Sequence, residues 1–170
     1  MQWLQKFLDR ILSIFPRLVV IPPDEIGVRC TPGLRKGMAL SELTPGWWLY
    51  WPLVQVLETI RVKTQIKDLR AQSIWSQDRK ELTISGAIRY RVRSARKALF
   101  DVLDYDQNIQ TVALGIIQEY ARQHDLAELD VGKLENEMLT GVKKASEGWG
   151  LYIEKVYITD IGRTNNIRVL

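Results

Sequence analysis

The residue types that carry catalysis or bind metals are few in this sequence and lie far apart. His124 is the single histidine, and its place near the end of a predicted helix indicates a capping or surface residue. Cys30 is the single cysteine; with no histidine nearby in the sequence it is interpreted as a structural thiol, and it excludes an internal disulfide. Residues 33–37 lack the Lys-Ser or Lys-Thr ending of a phosphate-binding loop. The sequence therefore predicts no catalytic residues, no metal site and no cofactor, and a protein that acts through its surfaces.

A dense aromatic segment is the first candidate surface. Pro45 and Gly46 form a predicted turn, and three of the six tryptophans follow it closely. Tryptophan and tyrosine combine a large apolar ring with a polar group, so they suit a boundary between lipid and water, or a partner protein. The alternative is a core strand that leaves one or two tryptophans exposed. The predicted contact residues are Trp47, Trp48, Tyr50 and Trp51.

Residues 2–15 predict an amphipathic helix, which Pro16 ends. Apolar side chains fill one broad face, and Lys6 and Arg10 lie on the polar face. Such a helix can lie in a membrane interface with its basic residues at anionic headgroups, or it can dock on its own domain or on another subunit. We favour membrane contact. The predicted contact residues are Trp3, Phe7, Leu8, Ile11 and Phe15.

From residue 17 the pattern changes to strands. Residues 18–21 and 26–29 predict a hairpin around a proline-containing turn. Residues 54–66 predict one long or bent strand, and residues 71–75 predict a short one.

The strand predicted over residues 82–92 shows the clearest alternation of apolar and polar side chains. Its polar face carries Arg89, Arg91 and Arg93, which together with Arg96 and Lys97 form the densest basic patch of the sequence. We favour a solvated sheet face, and contact with anionic lipid or an acidic neighbour is the functional alternative.

The second half of the chain is predicted to be mainly helical. One helix is expected over residues 95–103 and a second with an apolar stripe over residues 109–120. A third helix is expected in which the inward-facing residues are Leu134, Met138, Val142 and Ala145. A closing strand follows over residues 151–161. Strands, then helices, then a closing strand predict an α+β fold. The candidate helix caps are Ser94, Asp104, Asp106 and Asp130.

Charge and hydropathy narrow the class of protein. A net charge of +4 favours an anionic lipid surface or an acidic partner, but it is weak for a nucleic-acid binder, so no nucleic acid is expected. No apolar run approaches the about 18 residues that a transmembrane helix needs. The N-terminus also lacks the cleavage site of a signal peptide, which makes a reduced, cytoplasmic location the default expectation.

Several segments, in this order and spacing, resemble one family. Residues 20–29 resemble the opening strand-turn-strand of the SPFH, or band 7, domain of stomatins, prohibitins and flotillins. Residues 43–52 are similar to the Pro-Gly and Pro pair of that domain, and residues 76–92 to its central hairpin. Residues 98–105 and 148–161 resemble its next segment and its closing strand.

The resemblance implies a non-catalytic α+β domain of two subdomains that associates with a membrane and forms homo-oligomeric rings or cages. The domain would span residues 17–162, with a subdomain boundary at about residues 70–94. Residues 1–16 would be the amphipathic helix, and residues 163–170 a tail. The aromatic segment and the predicted helix occupy the places through which family members approach the bilayer.

The sequence departs from the family in two respects. The N-terminal segment is amphipathic where many relatives have a transmembrane segment, so a peripheral attachment, on the cytoplasmic face, is expected. The family's long coiled coil, which builds the walls of large cages, is missing before Leu170, so a flat ring, a short stack or attachment to another assembly is expected. The favoured function is a peripheral membrane scaffold. The alternative is a structural subunit of a larger assembly, such as a virion, that uses the same surfaces for protein contacts.

Overall fold

A computed structural model describes residues 15–33 and 37–163, without the side chain of Arg163. The predicted amphipathic helix lies outside these residues except for Phe15 at its end. The chain forms two compact units: Met1–Lys63 with Ser94–Asp101, and Thr64–Arg93 with Val102–Leu170. In the described part, seven strands come first, α-helices follow, and a strand closes the order, which confirms the predicted α+β fold.

The first unit contains two antiparallel sheets. β2 (Glu25–Gly33) pairs with β3 (Gly37–Leu43) on one side and with β5 (Val56–Arg61) on the other. β1 (Arg17–Ile21) and β4 (Gly46–Tyr50) form a separate two-stranded ribbon.

A short helix, α1 (Ala95–Phe100), completes the first unit. Ser94 caps it as predicted, and Glu42 accepts a second hydrogen bond, 2.9 Å long, from the backbone N–H of Arg96. The helix ends before the predicted residue 103, with Asp101 as its C-cap, and Asp104 adopts a left-handed conformation and caps the next helix. The buried apolar residues of this unit are Ile21, Val28, Cys30, Leu43, Ile60, Ala95 and Ala98.

Two strand predictions for the first unit are wrong. β1 pairs with β4 rather than forming a hairpin with β2. Pro22 and Pro23 have no N–H groups and make a corner, not a tight hairpin loop, between β1 and β2. The single strand expected over residues 54–66 is divided between β5 and the first strand of the second unit. Its alternation runs across the division because both pieces are half-buried and neither glycine nor proline separates them.

The second unit packs two helices against an antiparallel sheet. β7 (Glu81–Val92) lies between β6 (Gln65–Trp75) and β8 (Leu151–Arg163). The helices are α2 (Tyr105–Gln123) and α3 (Val131–Ala145), and a short 3₁₀ helix, Leu126–Glu128, lies between them. The core is formed by apolar side chains of the sheet and both helices: Leu69, Ile74, Leu82, Ile84, Ile88, Tyr90, Ile109, Ala113, Ile117, Tyr120, Ala121, Leu134, Met138, Val142, Ile153 and Val156.

Most of the predictions for the second unit are confirmed. Asp104 and Asp130 cap α2 and α3, and the alternation along β7 matches its burial. β6 is longer than predicted, because an irregularity in its pairing between Leu69 and Gln72 breaks the alternation in the sequence. Ala145 is exposed rather than buried, since α3 ends there.

Candidate interaction surfaces

The β1–β4 ribbon has one exposed apolar face. Residues that pair directly across two strands lie on the same face. The register pairs Leu18 with Leu49 and Val20 with Trp47. All four are large and apolar, and their exposure ranges from 52% for Val20 to 70% for Trp47. We call this group, Leu18, Val20, Trp47 and Leu49, the ribbon face.

The other predicted aromatic contacts divide between two environments. Trp48 and Tyr50 alternate with Trp47 and lie on the opposite side of β4, where both are half-buried. The indole Nε1 of Trp48 donates a 2.7 Å hydrogen bond to the carbonyl of Thr44. Trp51, which follows the strand, is 47% exposed. The structure therefore places Trp47 and Trp51 at the surface and gives Trp48 and Tyr50 inward-facing positions.

The register of the three-stranded sheet brings further apolar side chains to one end of the first unit. Val56, at the start of β5, pairs with Cys30. Met38, at the start of β3, pairs with Pro32. Both pairs lie near the C-terminal end of β2, so the exposed side chains of Met38 and Val56 share this end.

The β4–β5 loop and the start of β1 belong to the same end. Arg17, the first residue of β1, pairs with Tyr50, the last residue of β4. The loop that follows is attached to β2, because the side-chain amide of Gln55 donates a 3.3 Å hydrogen bond to Thr31 Oγ1. Exposed apolar residues at this end range from 46% to 66% exposed. We call this group the apolar end: Phe15, Met38, Trp51, Leu53, Val54 and Val56.

The opposite end of the first unit is charged. Glu25, at the start of β2, lies 3.9 Å from Arg61, and Asp24 lies 3.8 Å from Lys63. Exposed ion pairs of this kind contribute little to stability. These ion pairs lie at the end of β2 and β5 that is opposite to the apolar end.

The predicted arginine strand is partly neutralised. Glu154 lies at a β-bulge of β8, where the register with β7 shifts between Arg89 and Tyr90. Its carboxylate lies 3.0 Å from Nε of Arg89 and 3.7 Å from Nε of Arg91. Arg91 also stacks over the ring of Tyr152, 5.1 Å from its centre. Arg93 is exposed at the end of the row. Glu154 is distant in sequence from the arginines, so the pattern along β7 alone did not indicate it.

The family model described as "SPFH domain / Band 7 family" matches residues 19–169. The chain belongs to this family. An uncharacterized protein of Methanocaldococcus jannaschii is 24% identical over 163 residues, which cover 93% of this chain and 81% of that protein. Stomatin of Mus musculus is 22% identical over 119 residues, and a stomatin homolog of Pyrococcus horikoshii is 24% identical over 131 residues.

This SPFH domain accounts for part of the length of the stomatins that it resembles. The alignments cover 69% of the chain but 42% of mouse stomatin, and 75% of the chain but 48% of the Pyrococcus homolog. The similarity identifies the domain and its family.

Polar side chains of this SPFH domain contribute to its packing. The hydroxyl of Tyr90 donates to Asp106, whose other oxygen lies 3.3 Å from Nζ of Lys67, so this cluster joins β7, α2 and β6. Burial, and next the hydrogen bond to Asp106, raise the pKa of Tyr90 far above its usual range. Burial and the nearby Glu58 carboxylate raise the pKa of the Cys30 thiol, which keeps it protonated.

Residues 15–33 and 37–163 of the SPFH domain lack two features. They contain no group of three or more His, Cys, Asp or Glu side chains placed to hold a metal ion. Within the same residues, no helix combines the length and the apolar character needed to cross a membrane.

Proposed function

We propose that this chain is a non-catalytic, membrane-associated scaffold that attaches peripherally and forms homo-oligomers through its SPFH domain. The observation that supports membrane attachment best is the concentration of large, exposed apolar side chains at the apolar end and on the ribbon face. Contiguous exposed apolar patches of this kind mark sites that contact a membrane or another protein. Membership of the band 7 family also supports attachment to a membrane rather than to a protein.

In the proposed arrangement the apolar end and the ribbon face enter the boundary between headgroups and acyl chains. The N-terminal segment would lie beside them, because it continues directly from Phe15 at the apolar end. Its apolar residues would be buried in lipid, with Lys6 and Arg10 at anionic headgroups on the cytoplasmic face. Arg93, with Arg89 and Arg91, is proposed as a second contact with an anionic surface.

Oligomerisation would make this attachment stable. Complete burial of one large apolar side chain contributes about 1.5–3 kcal/mol, so a single copy with a few partly buried side chains binds weakly. Linking several copies converts later contacts into intramolecular ones and multiplies the affinity. A homo-oligomer on a bilayer would in this way hold membrane components or partner proteins in one place.

Co-sedimentation of the full chain with vesicles of phosphatidylcholine and phosphatidylserine tests the proposal. Leu53→Ser and Trp51→Ser are each expected to weaken binding about tenfold, since about 1.4 kcal/mol of apolar transfer is lost in each case. Trp75→Ser is the matched control, because Trp75 is 55% exposed but lies on β6 of the second unit. Equal binding by all three variants and the unchanged protein would contradict the proposed role of the apolar end.

The same surfaces support one alternative, a structural subunit of a larger assembly without a membrane. The ribbon face supports this alternative, because exposed apolar side chains on a two-stranded ribbon can pack against a partner protein. A chain that forms a defined oligomer and does not sediment with vesicles would support the alternative over membrane attachment.

A further inference from the structure

The side chain of Gln55 holds the β4–β5 loop at the apolar end. Its Oε1 accepts a 2.9 Å hydrogen bond from the backbone N–H of Trp51. Its Nε2 donates to Thr31 Oγ1 over 3.3 Å. The side-chain amide of Gln55 therefore links Trp51, the first residue of the loop, to the neighbouring strand β2.

The backbone of the loop is closed by two further hydrogen bonds. The carbonyl of Trp51 accepts from the backbone N–H groups of Val54, at 3.1 Å, and of Gln55, at 2.8 Å. Pro52 follows Trp51, where a fixed φ favours a turn of this kind. Both backbone polar groups of Trp51 thus bind Gln55, and the turn between them presents Leu53 and Val54 to solvent.

We infer that Gln55 is a positioning residue for membrane contact, which holds residues 51–55 as a preformed apolar wedge. This inference rests on the proposed function, and lipid is the occupant to which it commits. Three features support lipid: the exposed side chains at the tip are apolar, they continue into the rest of the apolar end, and the charged ion pairs lie at the other end of the unit. The loop would enter the bilayer in the conformation that it already has.

The energetic consequence is a smaller entropy loss on binding. A flexible loop must lose backbone freedom when it inserts, whereas a loop that is already ordered has lost that freedom during folding. Gln55 itself need not touch lipid for this effect. Replacement of Gln55 would leave the apolar residues of the loop unchanged. The loop would then lose its backbone freedom on binding to lipid, and this entropy loss would weaken binding.

Gln55→Met tests the inference, because the inferred role and simple hydrophobicity predict opposite changes in the affinity for vesicles. Methionine has a similar size and is more apolar, so hydrophobicity alone predicts equal or tighter binding to vesicles. Loss of both side-chain hydrogen bonds predicts binding about tenfold weaker, the factor that corresponds to ~1.4 kcal/mol. The vesicles are those of phosphatidylcholine and phosphatidylserine described above.

Gln72→Met is the matched control. Gln72 also bonds through its side chain to another residue, with its Oε1 3.3 Å from Nε2 of Gln118, but it lies in the second unit. This variant is expected to bind vesicles like the unchanged protein. A general loss of affinity from replacing a hydrogen-bonded glutamine would appear in both variants and would overturn the specific role of Gln55.

Hydrogen exchange of the Val54 and Gln55 amides without lipid provides a second readout that does not depend on membrane binding. These amides should exchange slowly in the unchanged protein and at least about tenfold faster in Gln55→Met. Unchanged exchange in the variant would overturn the inference, whether or not the protein binds vesicles. If Leu53→Ser binds weakly while Gln55→Met binds like the unchanged protein, the inference fails and the proposed function stands. If no form binds vesicles, the proposed function and the inferred role in membrane contact both fail, and the exchange data then decide only whether Gln55 orders the loop.

Discussion

Single residues fix the close contacts of the second unit, and Gly86 is the clearest example. Both partners of β7 carry an extra residue near it: β6 between Leu69 and Gln72, and β8 next to Ile158. A Cβ atom on Gly86 would lie 2.6 Å from the backbone oxygen of Tyr157 and 3.4 Å from the side chain of Leu69. A carbonyl oxygen in a paired strand cannot move aside as a flexible side chain can. The absence of a side chain at this position therefore allows the central strand to pair on both sides.

We expect Gly86→Ala to destabilise the protein by about 1–3 kcal/mol, as other small-to-large changes in packed interiors do. Gly115→Ala is the control with the opposite sign. Gly115 is exposed on α2, an added Cβ would meet no atom within 4 Å, and alanine is the better helix former by about 0.5–1 kcal/mol. Urea unfolding followed by circular dichroism measures both changes. An unchanged midpoint for Gly86→Ala would mean that β8 can shift without loss of pairing.

Individual residues also show what the sequence can and cannot indicate. Asp104 and Asp130 could be identified as caps because capping is a local interaction between a side chain and the next turn. The ribbon face could not be identified from the sequence, since it depends on which strand pairs with β1. The tryptophans stand out in the sequence, but Leu49 and Val20 become candidates only when the register places them beside Trp47.

At the scale of elements, local periodicity predicted β7 and both long helices, whereas strand partners required the structure. Two short apolar strands separated by a turn commonly form a hairpin, which is why β1 and β2 were expected to pair. The observed partner, β4, lies beyond two further strands. Pairing over such a distance depends on tertiary packing, which propensity does not describe.

The arginine strand shows how a neighbouring element alters a surface. Along β7 the sequence gives a row of positive charges, but β8 contributes Glu154 beside Arg89 and Arg91. The exposed guanidinium groups are therefore partly satisfied within the sheet. Binding of an anionic surface at this position would compete with Glu154.

We expect Glu154→Gln to strengthen binding to vesicles that contain phosphatidylserine if the strand contacts them. Removing one carboxylate would raise the affinity about fivefold, given about 1 kcal/mol for one basic residue near an anionic surface. The effect should diminish as salt is added. Glu128→Gln makes the same change in net charge on the exposed 3₁₀ helix and controls for it. Equal binding by both variants would identify the row as a solvated sheet face.

At the scale of the whole molecule, the first unit has the polarity that peripheral attachment needs. Exposed apolar side chains collect at one end of the three-stranded sheet and along the ribbon face, and ion pairs lie at the other end of β2 and β5. The second unit has a buried core and a charged open sheet face, the face proposed above as a second contact with an anionic surface.

The mass of the full chain, measured with and without vesicles of phosphatidylcholine and phosphatidylserine, tests the combination of these properties. If weak single contacts are multiplied by assembly, binding should rise steeply with protein concentration, and cross-linking on the vesicles should give discrete oligomers. Leu53→Ser should reduce the amount bound without changing the oligomers formed in solution, because it alters the lipid contact alone. A protein that remains monomeric and still binds vesicles tightly would contradict the scaffold. In that case the apolar end would have to supply the whole affinity from one copy, which would require nearly complete burial of its six side chains in lipid.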